Sequence, residues 1–172
     1  PALAAEIAEL LAPTPVRLDT SWGFDHGAWS VLVHAYPEAD IPVVEISVDS
    51  DLGPAEHFDL GLRLAPLRER GVLVIACGNI VHNLEHIDFR ATKPYDWAVR
   101  FDDYIAAALE KRDDAALIDY TSHPDARLAA PDEDHYYPLL YVAGLRREDD
   151  ALRFVVEGYD AGSISMRAFT LS

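Results

Sequence analysis

The apolar positions of the chain follow two kinds of spacing. Apolar residues recur every three or four positions over residues 1–12, which predicts an amphipathic helix that ends before Pro13. Residues 42–48 and 72–76 are instead β-branched and almost continuously apolar, as strands buried on both faces are. Helix-like spacing over residues 53–70 separates these two segments. The order strand, helix, strand predicts a parallel pair of strands joined by a right-handed crossover.

The rest of the pattern adds helices and short strands around this unit. Apolar side chains on one side of residues 95–111 predict a long helix. Further elements are expected as a strand at 16–19, a loop at 22–27, a helix at 28–35, a helix beginning near Asp132, and strands at 152–157 and 165–170. The sequence therefore predicts one domain over residues 1–172, of the α/β class, with a mixed, partly parallel central sheet and helices on both faces.

Composition is typical of a folded domain and excludes two classes of partner. Half of the residues are hydrophobic and 26% are charged, so the chain can bury an ordinary core. The 30 acidic residues outnumber the 14 basic ones, and this excess would repel nucleic acid and anionic membranes. The apolar runs are too short to cross a bilayer, and a single cysteine excludes an internal disulfide. These features predict a cytoplasmic protein, and a homo-oligomer is compatible with them.

Three histidines lie in surroundings suited to chemistry. His82 follows the predicted strand at 72–76, and ligands of open α/β sheets bind beyond the carboxyl ends of strands. His26 lies in a glycine-flanked aromatic loop, where Asp25 either orients the imidazole or caps the next helix. His135 lies in an acidic first helical turn beside two tyrosines. The alternative for His82 is a histidine satisfied by a backbone carbonyl. The other histidines are predicted to be structural or on the surface: His34, His57, His86 and His123.

Cys77 offers a second chemistry. It follows the same predicted strand as His82 and precedes a glycine, so it could act as a nucleophile with His82 as its base. The alternative is a small buried hydrophobic residue, the commoner role of a free cysteine. The sequence contains no nucleophile elbow, phosphate-binding loop, dinucleotide-binding glycine motif or Cys-x-x-Cys pair. Common hydrolases, nucleotide-binding enzymes and zinc ribbons are therefore disfavoured.

Four motifs occur in a distinctive order. They are Gly-Phe-Asp-His-Gly-Ala-Trp at 23–29, Pro-Glu-Ala-Asp-Ile-Pro at 37–42, Gly-Asn-Ile-Val-His-Asn-Leu at 78–84 and His-Tyr-Tyr-Pro-Leu-Leu at 135–140. Together they resemble the class III extradiol dioxygenases of the 4,5-DOPA dioxygenase family, whose C-terminal signature residues 158–166 also resemble. The resemblance covers nearly the whole chain. It implies a non-haem iron(II) site, also found with zinc(II), that binds a catechol and dioxygen and opens the ring beside the two hydroxyls.

The resemblance also implies roles for the three histidines. His135 is similar to a metal ligand of the family, and His82 to the acid/base residue beside the metal, which is sometimes itself assigned as a ligand. His26 is similar to a histidine that steers substrate or oxygen. The family's other ligands lie upstream, in His-Gly-x-Pro and Ser-x-His-Trp segments, so the sequence is expected to lack the N-terminal part and to bind metal weakly. The rival interpretation is a non-catalytic relative or subunit of the same fold.

Overall fold

The computed structural model describes residues 2–172, whose regular secondary structure is mainly helical. The α-helices are α1 (Ala2–Leu10), α2 (His26–Ala35), α3 (Pro54–Leu64), α4 (Asp96–Lys111), α5 (Asp114–Ile118), α6 (Ala126–Ala129) and α7 (Tyr137–Gly144). Short 3₁₀ helices lie at Ala65–Arg70, Leu84–His86, Tyr120–Ser122 and Glu133–His135. The predicted start of the first helix at Pro1 lies outside the described residues. None of the helices within 2–172 is long and apolar enough to cross a lipid bilayer.

The strands form two separate antiparallel pairs. They are β1 (Leu152–Val156), β2 (Tyr159–Asp160), β3 (Ile164–Ser165) and β4 (Ala168–Leu171). β1 pairs with β4, where Phe154 lies opposite Phe169, and β2 pairs with β3. A tight turn joins β2 to β3, and it contains Gly162 with a φ of +77°. β3 also forms an antiparallel bridge between Ile164 and His82, so this small sheet reaches a histidine that the sequence had singled out.

The predicted parallel central sheet is wrong for the described part of the chain. Three segments expected to be strands have no regular secondary structure and pair with no strand within residues 2–172: 16–19, 42–48 and 72–76. The apolarity of residues 42–48 and 72–76 predicted burial on both faces, yet Leu73 is 67% exposed. Val44 and Val74, by contrast, pack against a helix cluster. A strand requires hydrogen bonds to a neighbour, and apolarity alone does not supply that neighbour.

The main core is built around α4, close to the helix predicted over 95–111. Its apolar face buries Phe101, Ile105 and Leu109. Against this face packs the buried side chain of Tyr136, which directly precedes α7. The helix expected near Asp132 is therefore divided into the 3₁₀ helix Glu133–His135 and α7. This packing fixes the backbone that directly follows His135.

A second core cluster joins α1, α3 and α7. The helix predicted over 53–70 is observed as α3, which continues as the 3₁₀ helix Ala65–Arg70. His57 on α3 is completely buried, and its two ring nitrogens lie 3.1 Å from the hydroxyl of Tyr141 and 3.1 Å from the carbonyl oxygen of Asp49. Burial lowers the pKa of His57. Its role is therefore structural, as the sequence predicted.

Candidate functional site

His82 and His135 lie against each other. Their rings stack with centroids 3.6 Å apart and an angle of 27° between the planes. His82 lies in the loop that follows segment 72–76, and His135 ends the 3₁₀ helix Glu133–His135. The fold therefore brings together two of the three histidines that the sequence singled out.

The backbone of His82 is held from two sides. On one side, its N–H donates to the carbonyl oxygen of Ala129 at the end of α6, at 2.7 Å. On the other side, the N–H of Ser165 donates to the carbonyl oxygen of Val81 at 3.0 Å, next to the bridge between Ile164 and His82. These backbone hydrogen bonds fix the position of the His82 Cα, from which the side chain extends, whatever rotamer the ring adopts.

The backbone of His135 is held by its neighbour in sequence and by the His82 loop. Tyr136 is fully buried, stacks on Tyr120 with centroids 3.9 Å apart, and donates its hydroxyl to the carbonyl oxygen of Leu117 at 2.9 Å. The carbonyl oxygen of His135 accepts the N–H of Asn79 at 2.9 Å. The two histidine segments are therefore joined directly through their backbones.

Gly78 permits this close approach. A Cβ at this position would lie 2.3 Å from the carbonyl oxygen of His135, so a larger residue must push the two segments apart. We expect Gly78→Ala to lower the free energy of unfolding by about 1–3 kcal/mol, as overpacked sites do, measured by urea denaturation. The matched control is Gly23→Ala, because no atom lies within 4 Å of the added carbon there. Equal stabilities of the two variants would contradict this account.

The surroundings of His82 favour its neutral form. Burial lowers the pKa of His82, and the neighbouring imidazole of His135 lowers it further. The carboxylates of Asp134 and Asp132 act in the opposite direction without reversing the shift. A neutral imidazole keeps one ring nitrogen free to accept a proton or to bind a metal. His82 can therefore do either near neutral pH.

His26 stands apart from this pair. It is the first residue of α2 and is exposed, and among residues 2–172 it makes no described hydrogen bond or ring contact with His82 or His135. The carboxylate of Asp25 accepts the N–H of Ala28 at 2.8 Å. Asp25 therefore caps the N-terminus of α2, which is one of the two roles considered for it. A role of His26 in chemistry stays a prediction.

Cys77 does not form the pair that a hydrolase would need. Its side chain lies against the first turn of α2, where a Cβ added to Gly27 would be 3.7 Å from the Cβ of Cys77. No hydrogen bond joins Cys77 to His82 in the part of the chain that the structure describes. Burial raises the pKa of the Cys77 thiol, with smaller contributions from Asp25 and Glu45. The protonated, less reactive thiol is therefore favoured, although Cys77 is only partly buried.

As metal ligands, His82 and His135 form an incomplete set. Imidazole suits both iron(II) and zinc(II), and catalytic sites of either metal commonly use three protein ligands. Within residues 2–172 no group of three or more His, Cys, Asp or Glu side chains could hold a metal ion. The two imidazoles are therefore suitable ligands for such a metal, but two ligands are fewer than the three that a catalytic site commonly uses.

A cavity of about 300 Å³ opens beside the residues that lead into His135. It is lined by residues 131–134, Tyr137, Val48 and Ser50. Its size is at the lower end of the range for small-molecule pockets, about 300–1,000 Å³. Neither His82 nor His135 is among the residues that line it, so its volume does not define the ligand of the histidine pair.

Sequence reasoning missed three residues that support the pair. Asn79 donates its side-chain amide to the carbonyl oxygen of Ser165 at 2.8 Å, and the hydroxyl of Ser165 donates to Asp102 at 2.5 Å. Asn79 and Ser165 lie in the quoted segments 78–84 and 158–166, so the motifs contained them without indicating their contact. Asp102 lies on a helix rich in acidic residues, where one more carboxylate gives no signal.

Comparison with known proteins gives consistent matches. The 4,5-DOPA dioxygenase extradiol of Escherichia coli (strain K12) is 44% identical over 171 residues, which are 96% of this chain and 63% of that protein. The 4,5-DOPA dioxygenase extradiol of Beta vulgaris is 36% identical over 173 residues, which are 98% of this chain and 65% of that protein. The chain thus spans a little under two thirds of the length of these relatives.

A solved structure and a family profile agree with these matches. The crystal structure of an uncharacterized protein from Escherichia coli K12 superposes with a TM-score of 0.92 at 44% identity, covering 98% of this chain and 71% of that one. The profile described as "Catalytic LigB subunit of aromatic ring-opening dioxygenase" matches residues 1–166. The chain therefore belongs to the LigB family of aromatic ring-opening dioxygenases.

Proposed function

We propose that the protein containing this chain is an extradiol dioxygenase, which opens a catecholic ring with dioxygen at a non-haem iron(II) site. The observation that carries the proposal is the stacked pair His82 and His135, in a chain whose named relatives are 4,5-DOPA dioxygenases. Imidazole is a suitable ligand for iron(II) and for zinc(II), which could occupy the same site. The remaining ligands would come from outside the described cluster, since the pair alone is too few.

His135 and His82 have different tasks in this proposal. The bound metal would polarise the catechol hydroxyls and bring dioxygen next to the ring. His135 supplies an imidazole ligand. His82, which is neutral near pH 7 because burial lowers its pKa, accepts a catechol proton and returns a proton to the product. A direct ligand role for His82 is the alternative assignment. His26, on the exposed first turn of α2, would steer substrate or oxygen.

The proposed substrate is a catechol with a short side chain, such as L-DOPA. The names of the relatives, which are 4,5-DOPA dioxygenases, support this choice. Both atoms of dioxygen enter the ring-opened product, so the reaction needs no external reductant. The proposal therefore requires only a small catechol and dioxygen as reaction partners.

The test is ring cleavage by the full-length gene product. Iron(II) is loaded without oxygen, L-DOPA is added, and air is then admitted. We expect a yellow ring-opened product and uptake of one dioxygen molecule per catechol, whereas the metal-free protein should produce neither. Metal analysis should find about one metal ion per chain, as one such site requires. A metal-loaded protein that cleaves no catechol would contradict the proposal, and a folded protein without metal affinity would favour the non-catalytic alternative.

A further inference from the structure

The strand that holds His82 is anchored to a buried ionic network. Asp102 on α4 is only 1% exposed. One of its carboxylate oxygens accepts the hydroxyl of Ser165 at 2.5 Å, and the other accepts Nε and Nη2 of Arg167 at 2.8 and 2.6 Å. The hydroxyl of Tyr159 adds a bond to Asp102 at 3.2 Å. The position of β3 on α4 is therefore set by charge-assisted hydrogen bonds, which are the stronger kind.

This anchored strand carries the loop of His82. The N–H of Ser165 donates to the carbonyl oxygen of Val81 at 3.0 Å. The N–H of Asn83 donates to the carbonyl oxygen of Ser163 at 3.2 Å, and the hydroxyl of Ser163 returns a bond to the carbonyl oxygen of Asn83 at 2.8 Å. Of the residues on either side of His82, Val81 is thus bonded to β3 and Asn83 to Ser163, which directly precedes β3. We therefore expect a shift of β3 to be transmitted to the backbone of His82 and so to its imidazole.

Asn79 joins this strand to the second histidine. Its side-chain amide donates to the carbonyl oxygen of Ser165 at 2.8 Å, and its backbone N–H donates to the carbonyl oxygen of His135 at 2.9 Å. The first bond acts on the strand that holds His82, and the second acts on His135 itself. Asn79 is the residue whose bonds reach both supports of the stacked pair.

We propose that Asn79 is a positioning residue, which holds His82 and His135 at their observed separation by bonding Ser165 and His135 at once. A functional constellation works only when supporting hydrogen bonds keep it within about 0.5 Å of its productive geometry. The catalytic importance of this positioning rests on the proposed function. The geometry that it concerns is present without metal, so it can be tested separately.

The test compares the distance between the two imidazole rings in the metal-free chain. In the wild-type protein with labelled histidine, rings 3.6 Å apart give a nuclear Overhauser cross-peak between His82 and His135. Asn79→Ala removes the bond to Ser165, and we expect loss of this cross-peak in a folded protein. The control is Asp150→Asn, which weakens the ion pair with Arg68 and should leave the cross-peak unchanged.

A second variant covers the case in which Asn79→Ala does not fold. Asn79→Asp keeps the size of the side chain but places an acceptor against the carbonyl oxygen of Ser165, so the cross-peak should again be lost. Retention of the cross-peak at wild-type intensity in either folded variant would overturn the inference. Zinc(II) titration of the full-length protein adds a separate measurement, in which we expect Asn79→Ala to weaken affinity about tenfold. If the wild-type protein binds no zinc, the proposed function fails, while the cross-peak still decides the role of Asn79.

Discussion

His82→Ala is expected to lower kcat for catechol cleavage by about 10²–10⁴-fold, the usual contribution of a general acid/base. The variant loses the neutral imidazole that would accept the catechol proton. It keeps the backbone N–H that bonds Ala129 and the bridge to Ile164, so the loop should retain its path. Oxygen uptake measures kcat, and a thermal melt followed by circular dichroism verifies folding.

The metal content of His82→Ala separates the two roles considered for this residue. If His82 moves protons, the variant should bind metal as the wild-type protein does and lose turnover alone. If His82 is a ligand, metal affinity should fall as well. His34→Ala is the matched control, because His34 lies on the exposed side of α2 and the same truncation there should leave kcat within about twofold, as for ordinary surface changes. If metal-loaded His82→Ala kept the wild-type kcat, His82 would have no catalytic role.

The helices could be predicted from sequence because their signal is local. Residues 95–111 place Phe101, Ile105 and Leu109 on one helical face, and this face is the one that α4 buries. Strands depend on partners that can lie anywhere in the chain. The apolarity of residues 72–76 predicted a strand of a parallel sheet, but this segment has no partner strand within the described residues.

The candidate site, too, could be predicted from the sequence only in part. The order of the motifs marked His82 and His135, and the fold places their rings 3.6 Å apart. The contacts that support the pair join distant parts of the chain, such as Asn79 to Ser165 and Ser165 to Asp102. No local pattern specifies such contacts, because each depends on how helices and strands pack. The interpretation of Cys77 as a nucleophile likewise depended on a hydrogen bond to His82, which is absent among residues 2–172.

Asp102→Ala is expected to lower the free energy of unfolding by about 3–5 kcal/mol, the cost of removing one partner from a buried ion pair. The side chain of Arg167 is only 8% exposed, so its charge would stay buried after the change. The hydroxyl of Ser165 would lose its acceptor at the same time. Urea denaturation of the purified chain measures the difference.

The neighbouring carboxylate provides the control for Asp102. Asp103 lies on the same helix and 3.6 Å from the same guanidinium, but its side chain is 66% exposed. Because water screens an exposed pair, Asp103→Ala should cost only about 0–1 kcal/mol. A similar loss of stability in both variants would mean that the net charge around Arg167 matters, and not the buried bonds. A loss confined to Asp102→Ala would instead identify the interaction that holds β3, and with it the His82 loop, on α4.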